Sequence, residues 1–251
     1  MRSAEYLHRV MKFHTIEELW HAHVVQMGRY GFDRLLYGYT LFKTPTSLGD
    51  PDDFVILSNH SPEYLQGYMG EGLYSDAPML KWALENEGAS SWRSAQERAR
   101  AGLLDAKSQA VYDFNQSMGV LAGYTISFNS PTQRFKGAIA LTARPALMQD
   151  DVEAIWQEHG QDIILMNNVV HLKILTLPYR APKRGLTKRQ REVLQWVGDG
   201  KTTQDIALLM GLTTATIEKH LRLARETLSV ETTAQAVLKA ALHNQMYAIE
   251  S

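Results

Sequence analysis

The sequence predicts an α+β fold. An N-terminal α-β-α sandwich with an antiparallel sheet is followed by an all-α domain of four helices that contains a helix-turn-helix. Two β-rich runs on either side of residues 129–132 predict a hairpin, and strands do not alternate regularly with helices, so we expect an antiparallel sheet. The last quarter carries four helical segments with suitable cap residues. A length of 251 residues suits two modest domains.

The N-terminal domain is expected over residues 1–175, and helical spacing of apolar residues first appears over 16–31. Its further elements are predicted, in chain order, as strands over 35–42 and 53–57, helices over 62–69, 77–86 and 106–117, strands over 120–128 and 135–143, and a long helix over 152–175. Residues 176–185 are predicted to be a linker, because Pro178 and Pro182 cannot continue a helix. The second domain is therefore expected over 186–251.

The first two helices of that domain are predicted from their caps. Thr187 caps a helix over 188–197, and the Gly-Asp-Gly stretch at 198–200 ends it, because glycine readily adopts the left-handed conformation of a helix stop. Either Thr202 or Thr203 caps the second helix, since both stand just before its apolar residues, which are expected to face the core: Ile206, Ala207, Leu209 and Met210.

A tight turn at 211–213 leads to a third helix over 215–227, capped by Thr213 or Thr214, and a fourth helix follows over 233–243. Two helices joined by a short glycine-containing turn can place the second one in the major groove of DNA. A helical hairpin without DNA contact is the alternative. The basic outward face of the third helix favours DNA binding.

Charge is divided unequally along the chain, whose net charge is −1. From Lys183 onward there are ten Lys/Arg and seven Asp/Glu residues, a balance of +3, whereas the remainder carries −4. Positive charge thus accumulates where phosphate contacts are expected. Because +3 is modest, we expect dimerisation to strengthen DNA binding.

Composition narrows the class of protein. There is no cysteine, which excludes disulfides, thiol nucleophiles and cysteine-based zinc sites. No apolar run approaches the length of a membrane span, and the charged first 20 residues do not resemble a signal peptide. We therefore expect a cytoplasmic protein with no membrane partner, and the 45% of apolar residues suffice for a core.

Five short motifs mark the C-terminal domain: 186–196 (LTKRQREVLQW), 200–202 (GKT), 205–207 (DIA), 216–221 (TIEKHL) and 235–237 (QAV). Together they resemble the LuxR-type DNA-binding domain. Gln190 departs from the Glu that is usual there, and Thr233 departs from a frequent Arg. These departures affect helix packing or phosphate contacts, not the assignment.

The resemblance implies that Glu218 and Arg222 read bases, since Arg pairs with guanine and Glu accepts from the cytosine amine. An ion pair between these two residues, four apart on one helix, is the alternative structural role. The resemblance also implies contacts to DNA phosphates from Lys201, Thr202, Thr214, Thr216, Lys219, His220 and Arg225.

The N-terminal domain carries further motifs: 30–33 (YGFD), 36–38 (LYG), Asn59, Tyr64, Tyr68, Pro78, Trp92 and 123–125 (GYT). They are similar to the ligand-sensing domain of LuxR-type quorum-sensing regulators. The resemblance implies a small-molecule autoinducer, an N-acyl-homoserine lactone, and a homodimer on palindromic double-stranded DNA. It implies no cofactor and no enzyme activity, and it makes RNA polymerase a further candidate partner.

Polar ligand contacts carry over by position. Tyr68 stands where the family keeps a Tyr on the amide carbonyl, and Trp92 stands where it keeps a Trp beside the lactone ring. Tyr64 stands where most relatives have a Trp that binds the lactone carbonyl, and a phenol can still donate there. Alternatively, these aromatic residues only fill the hydrophobic core.

The pair Asp-Pro that usually binds the amide N–H is altered. The order here is Asp76-Ala77-Pro78, so Ala77 fills the Asp position and Asp76 stands one residue early. Either Asp76 turns into the pocket or another group binds the N–H.

The pocket walls are predicted from alternation along strands. Thr125 and Ser127 alternate with Tyr124 and Ile126, so one of the two pairs faces the pocket, and Thr125 with Ser127 are the candidates for the acyl-side oxygen. The other expected wall residues, each of which is alternatively plain core, are Leu36, Gly38, Thr40 and Ala140. The small side chains at two of these positions leave room for a long acyl tail.

Three other functions stay open. A regulator that responds to a non-lactone molecule, or acts without ligand, is suggested by Tyr64 and Ala77. A phosphoacceptor domain would need parallel β-α alternation with acidic strand ends, and Asp52 with Asp53 is the only early acidic pair near a strand.

The third alternative is an enzyme domain with a metal site. Four histidines and two glutamates cluster early with helical spacing: His8, His14, Glu17, Glu18, His21 and His23. A solvated helix face explains the same residues without a metal.

Overall fold

A computed structural model describes residues 3–179 and 184–246 and divides the chain into two compact units. The first unit comprises the chain up to Gly49 and Val55–Leu175, and the second comprises Asp50–Phe54 and the chain from Thr176 onward. Residues 180–183 of the predicted linker, which include Pro182, lie outside the described residues. Every helix within the described ranges is too short or too polar to cross a bilayer.

The first unit is built on one five-stranded sheet. Its strands are β1 (Phe32–Thr40), β2 (Val55–Ser58), β3 (Gly88–Ser91), β4 (Gly123–Ser127) and β5 (Lys136–Ala143). Its helices are α1 (Ser3–Val10), α2 (Ile16–Gly28), α3 (Pro62–Leu65), α4 (Pro78–Glu85), α5 (Arg93–Arg100), α6 (Ala106–Ser117) and α7 (Gln149–Ile174).

All neighbouring strands run antiparallel in the order β2-β1-β5-β4-β3, which confirms the predicted fold class. The predicted hairpin is β4–β5, with Ile126 opposite Ile139. Antiparallel pairing throughout this sheet is incompatible with the parallel β-α arrangement of a phosphoacceptor domain.

Several predicted elements differ from the observed ones. Residues 51–53 form a 3-10 turn capped by Asp50, so β2 begins only at Val55, because Pro51 and the following aspartates favour a turn. The helix predicted over 62–69 is a short α-helix that continues as a π-helical turn, Gln66–Gly70. Three elements were not predicted at all, namely α1, β3 and α5.

One face of the sheet packs against α7, with α1 and α2 beside it. The hydroxyl of Tyr37 lies 2.9 Å from Nδ1 of His171 on α7. The imidazole of His23 joins the three helices, since the Tyr6 hydroxyl lies 2.8 Å from its Nδ1 and its Nε2 lies 3.0 Å from Oδ1 of Asn167. These polar side chains are buried and satisfied, as buried polar groups in a stable core must be.

The second unit contains four helices among its described residues: α8 (Lys188–Gly198), α9 (Thr203–Met210), α10 (Thr214–Leu228) and α11 (Thr233–Leu242). Their apolar faces meet in one core of Val193, Leu194, Ile206, Ile217, Leu221, Ala224, Leu228, Ala236 and Ala240. The predicted four-helix domain is confirmed, except that Leu209 is about half exposed and does not belong to this core.

The segment Asp50–Phe54 belongs to the second unit although strands of the first flank it in sequence. The buried carboxylate of Asp53 lies 2.7 Å from Nζ of Lys239 on α11. Lys239 also donates to the carbonyl oxygen of Leu228 at 2.8 Å. A buried charge is tolerated only when it is paired in this way.

Candidate ligand pocket and DNA-reading face

The two faces of the sheet are filled very differently. On the α7 face, Leu35, Tyr37, Ile139, Leu141 and Ile126 are fully buried. On the opposite face, beneath α4 and the segment around α3, the central positions carry small or partly accessible side chains: Leu36, Gly38, Ile56, Ala138 and Ala140. A central strand that stays accessible under a covering layer indicates space for a ligand.

Trp92 lies on this accessible face, directly after β3. Its indole Nε1 donates to Oγ1 of Thr125 at 2.9 Å, and its backbone N–H donates to the carbonyl oxygen of Gly123. A Cβ at Gly123 would lie 2.2 Å from the backbone oxygen of Leu141 and 3.0 Å from Trp92 Cη2, so only glycine fits between the neighbouring strand and the indole. The structure therefore brings two predicted contacts, Trp92 and Thr125, into one hydrogen-bonded pair.

Tyr64 and Tyr68 stack on each other, with ring centroids 5.3 Å apart. The Tyr64 hydroxyl donates to Oδ1 of Asn115 on α6 at 3.1 Å. Burial raises the pKa of both phenols, so each stays protonated at neutral pH and is able to donate a hydrogen bond. Tyr64 therefore has a partner within the protein, whereas the role of both phenols toward a ligand stays a prediction.

Asp76 ends a 3-10 turn before α4, where it is partly exposed. Its Oδ1 lies 3.4 Å from Nζ of Lys81, and its backbone oxygen accepts from the Ser108 hydroxyl at 3.0 Å. Ala77, which fills the usual Asp position, is buried. The carboxylate thus faces a lysine, and contact with an amide N–H would require this ion pair to open.

Two other predicted polar contacts already have protein partners. The Ser127 hydroxyl lies 2.8 Å from the Ala83 carbonyl oxygen and 2.7 Å from that of Asn86, so it fastens α4 to the sheet. Thr40 donates to the carbonyl oxygen of Leu48 at 2.7 Å. Both residues share the accessible face with Leu36, Gly38 and Ala140, but their hydroxyls stabilise loops and helices.

Sequence reasoning missed His60, which the structure places on the same face. Its ring stacks on Tyr64 with centroids 4.3 Å apart, and its Nε2 lies 3.4 Å from Oγ1 of Thr142 on β5. Burial, helped by the charge of Arg34, lowers the pKa of His60 to about 4. The only sequence signal was its place four residues before Tyr64, too weak to single it out.

The early histidines do not form a metal centre. His23 is fully buried and bonded to Tyr6 and Asn167, while His14 and His21 are exposed. Within residues 3–179 and 184–246, no three His, Asp or Glu side chains are placed to hold a metal ion together. The solvated helix face explains the exposed members of this set, namely His8, His14, Glu17, Glu18 and His21, whereas His23 is a core residue.

In the second unit, threonines cap all four helices: the caps of the first three were predicted, and that of α11, Thr232, was not. Oγ1 of Thr202 accepts from the backbone N–H of Asp205 at 3.2 Å, and the Asp205 carboxylate accepts from the backbone N–H of Thr202 at 3.0 Å. These two bonds form a capping box. Thr213 caps α10, whose start follows Gly211 in the left-handed conformation. The alternatives Thr203 and Thr214 are therefore the first residues of their helices.

The outward face of α10 carries the predicted reading residues. Glu218, Lys219 and Arg222 are exposed, while His220 and Arg225 are half-buried. The Glu218 carboxylate accepts from the Thr203 hydroxyl of α9 at 3.0 Å. The predicted phosphate contacts Lys201, Thr202 and Thr214 are also exposed, and Thr216 is half-buried.

The alternative ion pair between Glu218 and Arg222 does not form. Arg222 pairs instead with Glu226 on the next turn of the helix, with NH1 and Oε1 2.5 Å apart. Arg225 donates to the Thr233 hydroxyl at 3.0 Å, which ties α10 to α11. Because an exposed pair is worth little, Arg222 can exchange its partner for a base edge.

Comparison with known families matches nearly all of the chain. The model of the autoinducer binding domain matches residues 15–174, and that of bacterial regulatory proteins of the luxR family matches residues 184–240. The transcriptional activator protein ExpR of Dickeya dadantii is 24% identical over 182 residues, covering 68% of this chain and 70% of that protein. AnoR of Acinetobacter nosocomialis is 22% identical and covers 90% of this chain and 91% of its own length.

Solved structures show the same fold at low identity. Escherichia coli SdiA is 18% identical, with a TM-score of 0.50 over 99% of this chain and 98% of that chain. SdiA has also been solved in complex with octanoyl-rac-glycerol, with a TM-score of 0.51, 17% identity and coverage of 99% and 96%. The N-acylhomoserine lactone dependent factor CepR2 of Burkholderia cenocepacia gives 0.53 at 16% identity, over 68% of this chain and 94% of that chain.

Proposed function

Because this chain belongs to the LuxR-type transcriptional regulators, which join an autoinducer-binding domain to a DNA-binding domain, we propose that it senses an N-acyl-homoserine lactone with a long acyl chain. In this proposal the ligand is buried in the first unit, and the protein binds a palindromic operator as a homodimer. The observation that carries the proposal is the accessible sheet face beside the Trp92–Thr125 pair.

The chemistry of that face suits an acylated head group. Trp92 and Tyr68 offer a flat ring and a phenol donor for the lactone and amide carbonyl oxygens. The small side chains of Gly38 and Ala140 leave a path across the sheet for an apolar tail. An enclosed site with few fixed polar groups and apolar walls is typical of small-molecule binding.

A second candidate ligand is an acylated molecule without a lactone ring. The observation in its favour is the Asp76–Lys81 ion pair, which leaves the amide N–H of a lactone without its usual carboxylate. SdiA, whose fold this chain shares, has been solved with an acylglycerol. Both candidates share an acyl tail and differ in the head group that Trp92 would meet.

For DNA, we propose that Glu218 and Arg222 read base edges while Lys201, Thr202, Thr214, Thr216, Lys219, His220 and Arg225 contact phosphates. Exposure of the reading residues on one helix of a capped helix-turn-helix supports this assignment. A ligand that binds only the folded state stabilises that state by mass action, so ligand and DNA-binding activity are linked through folding.

The test is mass spectrometry of small molecules extracted from the full chain after expression with a panel of N-acyl-homoserine lactones. Retention of one long-chain lactone together with a higher soluble yield is expected. Retention of an acylglycerol from the host would favour the second candidate. Soluble protein that retains no acylated molecule and still binds DNA would refute both. Trp92→Phe should lose retention, whereas the exposed Gln157→Ala on α7 should keep it.

A further inference from the structure

The residues on both sides of Trp92 contact one carboxylate on the opposite face of the sheet, that of Glu153 on α7. The Ser91 hydroxyl donates to Oε1 of Glu153, and Nε of Arg93 lies 3.5 Å from the same oxygen. Trp92 follows β3 in a helical backbone conformation, and its indole N–H donates to Thr125 on the accessible face of the sheet. Glu153 therefore holds the neighbours of the indole from behind while the indole faces the candidate pocket.

The same carboxylate also holds the strand that carries the partner of Trp92. The Tyr124 hydroxyl donates to Oε2 of Glu153 at 2.5 Å, and Tyr124 directly precedes Thr125, the acceptor of the indole N–H. The Tyr124 ring stacks on Trp156, with centroids 3.8 Å apart and planes 2° apart. Glu153 and Trp156, both on α7, thus fix the phenol by its hydroxyl and by its ring.

Gln149, one turn earlier on α7, completes the junction between β3 and β4. Its Nε2 lies 3.0 Å from the Ser91 hydroxyl and 3.2 Å from Oε1 of Glu153. Its Oε1 accepts the backbone N–H of Gly123 at 3.0 Å, beneath the Trp92 ring. Every polar contact of this group with the sheet therefore lies within two residues of Trp92 or Thr125.

The hydrogen-bond donors around Glu153 favour the ionised form of its carboxylate. Burial alone would raise the pKa of Glu153, but hydrogen bonds from Ser91, Tyr124 and Gln149 and the charge of Arg93 lower it overall. Ser91, Tyr124 and Gln149 all donate, so an ionised carboxylate satisfies them together. An amide in its place offers a single acceptor oxygen, which leaves at least one of these donors without a partner.

We propose that Glu153 is a positioning residue for ligand recognition, which fixes the orientation of the Trp92 indole across the sheet without touching the ligand. The inference rests on the proposed function, in which Trp92 meets the head group of the ligand. A binding residue loses its orientation when the hydrogen bonds and packing that hold it are weakened, even if the residue itself is unchanged.

The test uses the full chain with ¹⁵N-labelled tryptophan and N-dodecanoyl-homoserine lactone as the probe. Trp92→Phe assigns the indole N–H signal, and Thr125→Val gives the position of that signal without its hydrogen bond. In Glu153→Gln, the Trp92 signal should move toward the Thr125→Val position, and lactone affinity should fall about tenfold, as expected for losing one charge-assisted hydrogen bond. The control Asp150→Asn removes the exposed partner of Arg93 and should change affinity less than about twofold.

Two readouts separate this inference from the proposed function. The indole signal is recorded without added ligand, so it tests positioning even if the wild-type protein retains no lactone. If Glu153→Gln does not fold, Tyr124→Phe and Ser91→Ala each remove one bond to the carboxylate and should shift the same signal. An unchanged Trp92 signal in the variants that fold would overturn the inference, and so would lactone affinity within twofold of wild type.

Discussion

Mild acid should destabilise the first unit through three buried histidines. Burial lowers the pKa of His23, His60 and His171 to about 4 each, against about 6.5 in the unfolded chain. The unfolded state therefore binds more protons between these two values, so stability is fully present above pH 6.5 and is lost as pH falls toward 4. Each histidine should lower the free energy of unfolding by about 1.4 kcal/mol for every pH unit that the pH falls within that window.

The contacts of His23 explain why it must stay neutral. Its Nδ1 accepts from the Tyr6 hydroxyl, and its Nε2 donates to Oδ1 of Asn167, which together fit one neutral tautomer. A second proton would place an N–H against the Tyr6 oxygen in a buried site and add an unpaired charge. At pH 5 the cost is about 2 kcal/mol for this residue alone.

The assay is urea unfolding of the full chain between pH 7.5 and 5, followed by tryptophan fluorescence. Four of the five tryptophans lie in the first unit, so the signal reports mainly on it. His23→Gln should reduce the pH slope of the unfolding free energy by about one third, since one of three similar groups is removed. His14→Gln, at an exposed position, should leave the slope unchanged. Equal slopes in His23→Gln and wild type would refute the reasoning.

Three further changes have defined outcomes. Thr202→Ala removes the cap of α9 and should lower the free energy of unfolding of the second unit by about 1 kcal/mol, measured by urea unfolding. Gly67→Ala places a Cβ 2.6 Å from Cζ of Phe114, so the melting temperature and lactone retention should both fall. Ala140→Leu fills the accessible sheet face, so the retained lactone should shift to a shorter acyl chain, measured by mass spectrometry.

Each of these changes has a control in the same unit. Gln204→Ala on α9 is exposed and takes no part in the capping box, so its unfolding free energy should match wild type. In Gly28→Ala, the added Cβ meets no side chain or other segment within 4 Å, so this variant should not lower the melting temperature. Ala154→Leu, exposed on α7, should leave the chain-length preference unaltered. If a control variant showed the same change as the variant it is paired with, the local explanation for that variant would be wrong.

Helices with strong local signals could be predicted from the sequence alone. The N-termini of α8 to α11 are local chemistry, since a threonine caps each of them. A left-handed glycine ends α9 and follows the end of α8, whereas α10 and α11 end at Ser229 and His243. β3 was missed because Gly-Ala-Ser-Ser has low strand propensity and pairs only because β4 lies beside it. α5 was missed because its polar sequence has almost no apolar spacing.

The candidate site could be predicted only in part, because spacing along the sequence does not show which partner each side chain contacts. Alternation correctly placed Thr125 and Ser127 on one face, but it could not show that the Ser127 hydroxyl already lies within hydrogen-bond distance of the carbonyl oxygens of Ala83 on α4 and of Asn86 directly after it. Arg222 has a Glu four residues away on either side, and spacing alone cannot choose between Glu218 and Glu226. The carboxylate of Glu153 lies far from Trp92 in sequence, so only the fold reveals their relation.

The unequal faces of the sheet have a consequence for how such a receptor changes its ligand during evolution. Residues that hold the core and residues that line the candidate pocket alternate along the same strands, as Leu35, Leu36, Tyr37 and Gly38 do on β1. Single substitutions at every second position can therefore enlarge or narrow the pocket while the framework stays intact. An insertion or deletion in a strand would exchange the two sets, so new specificities are expected to arise by substitution in the strands.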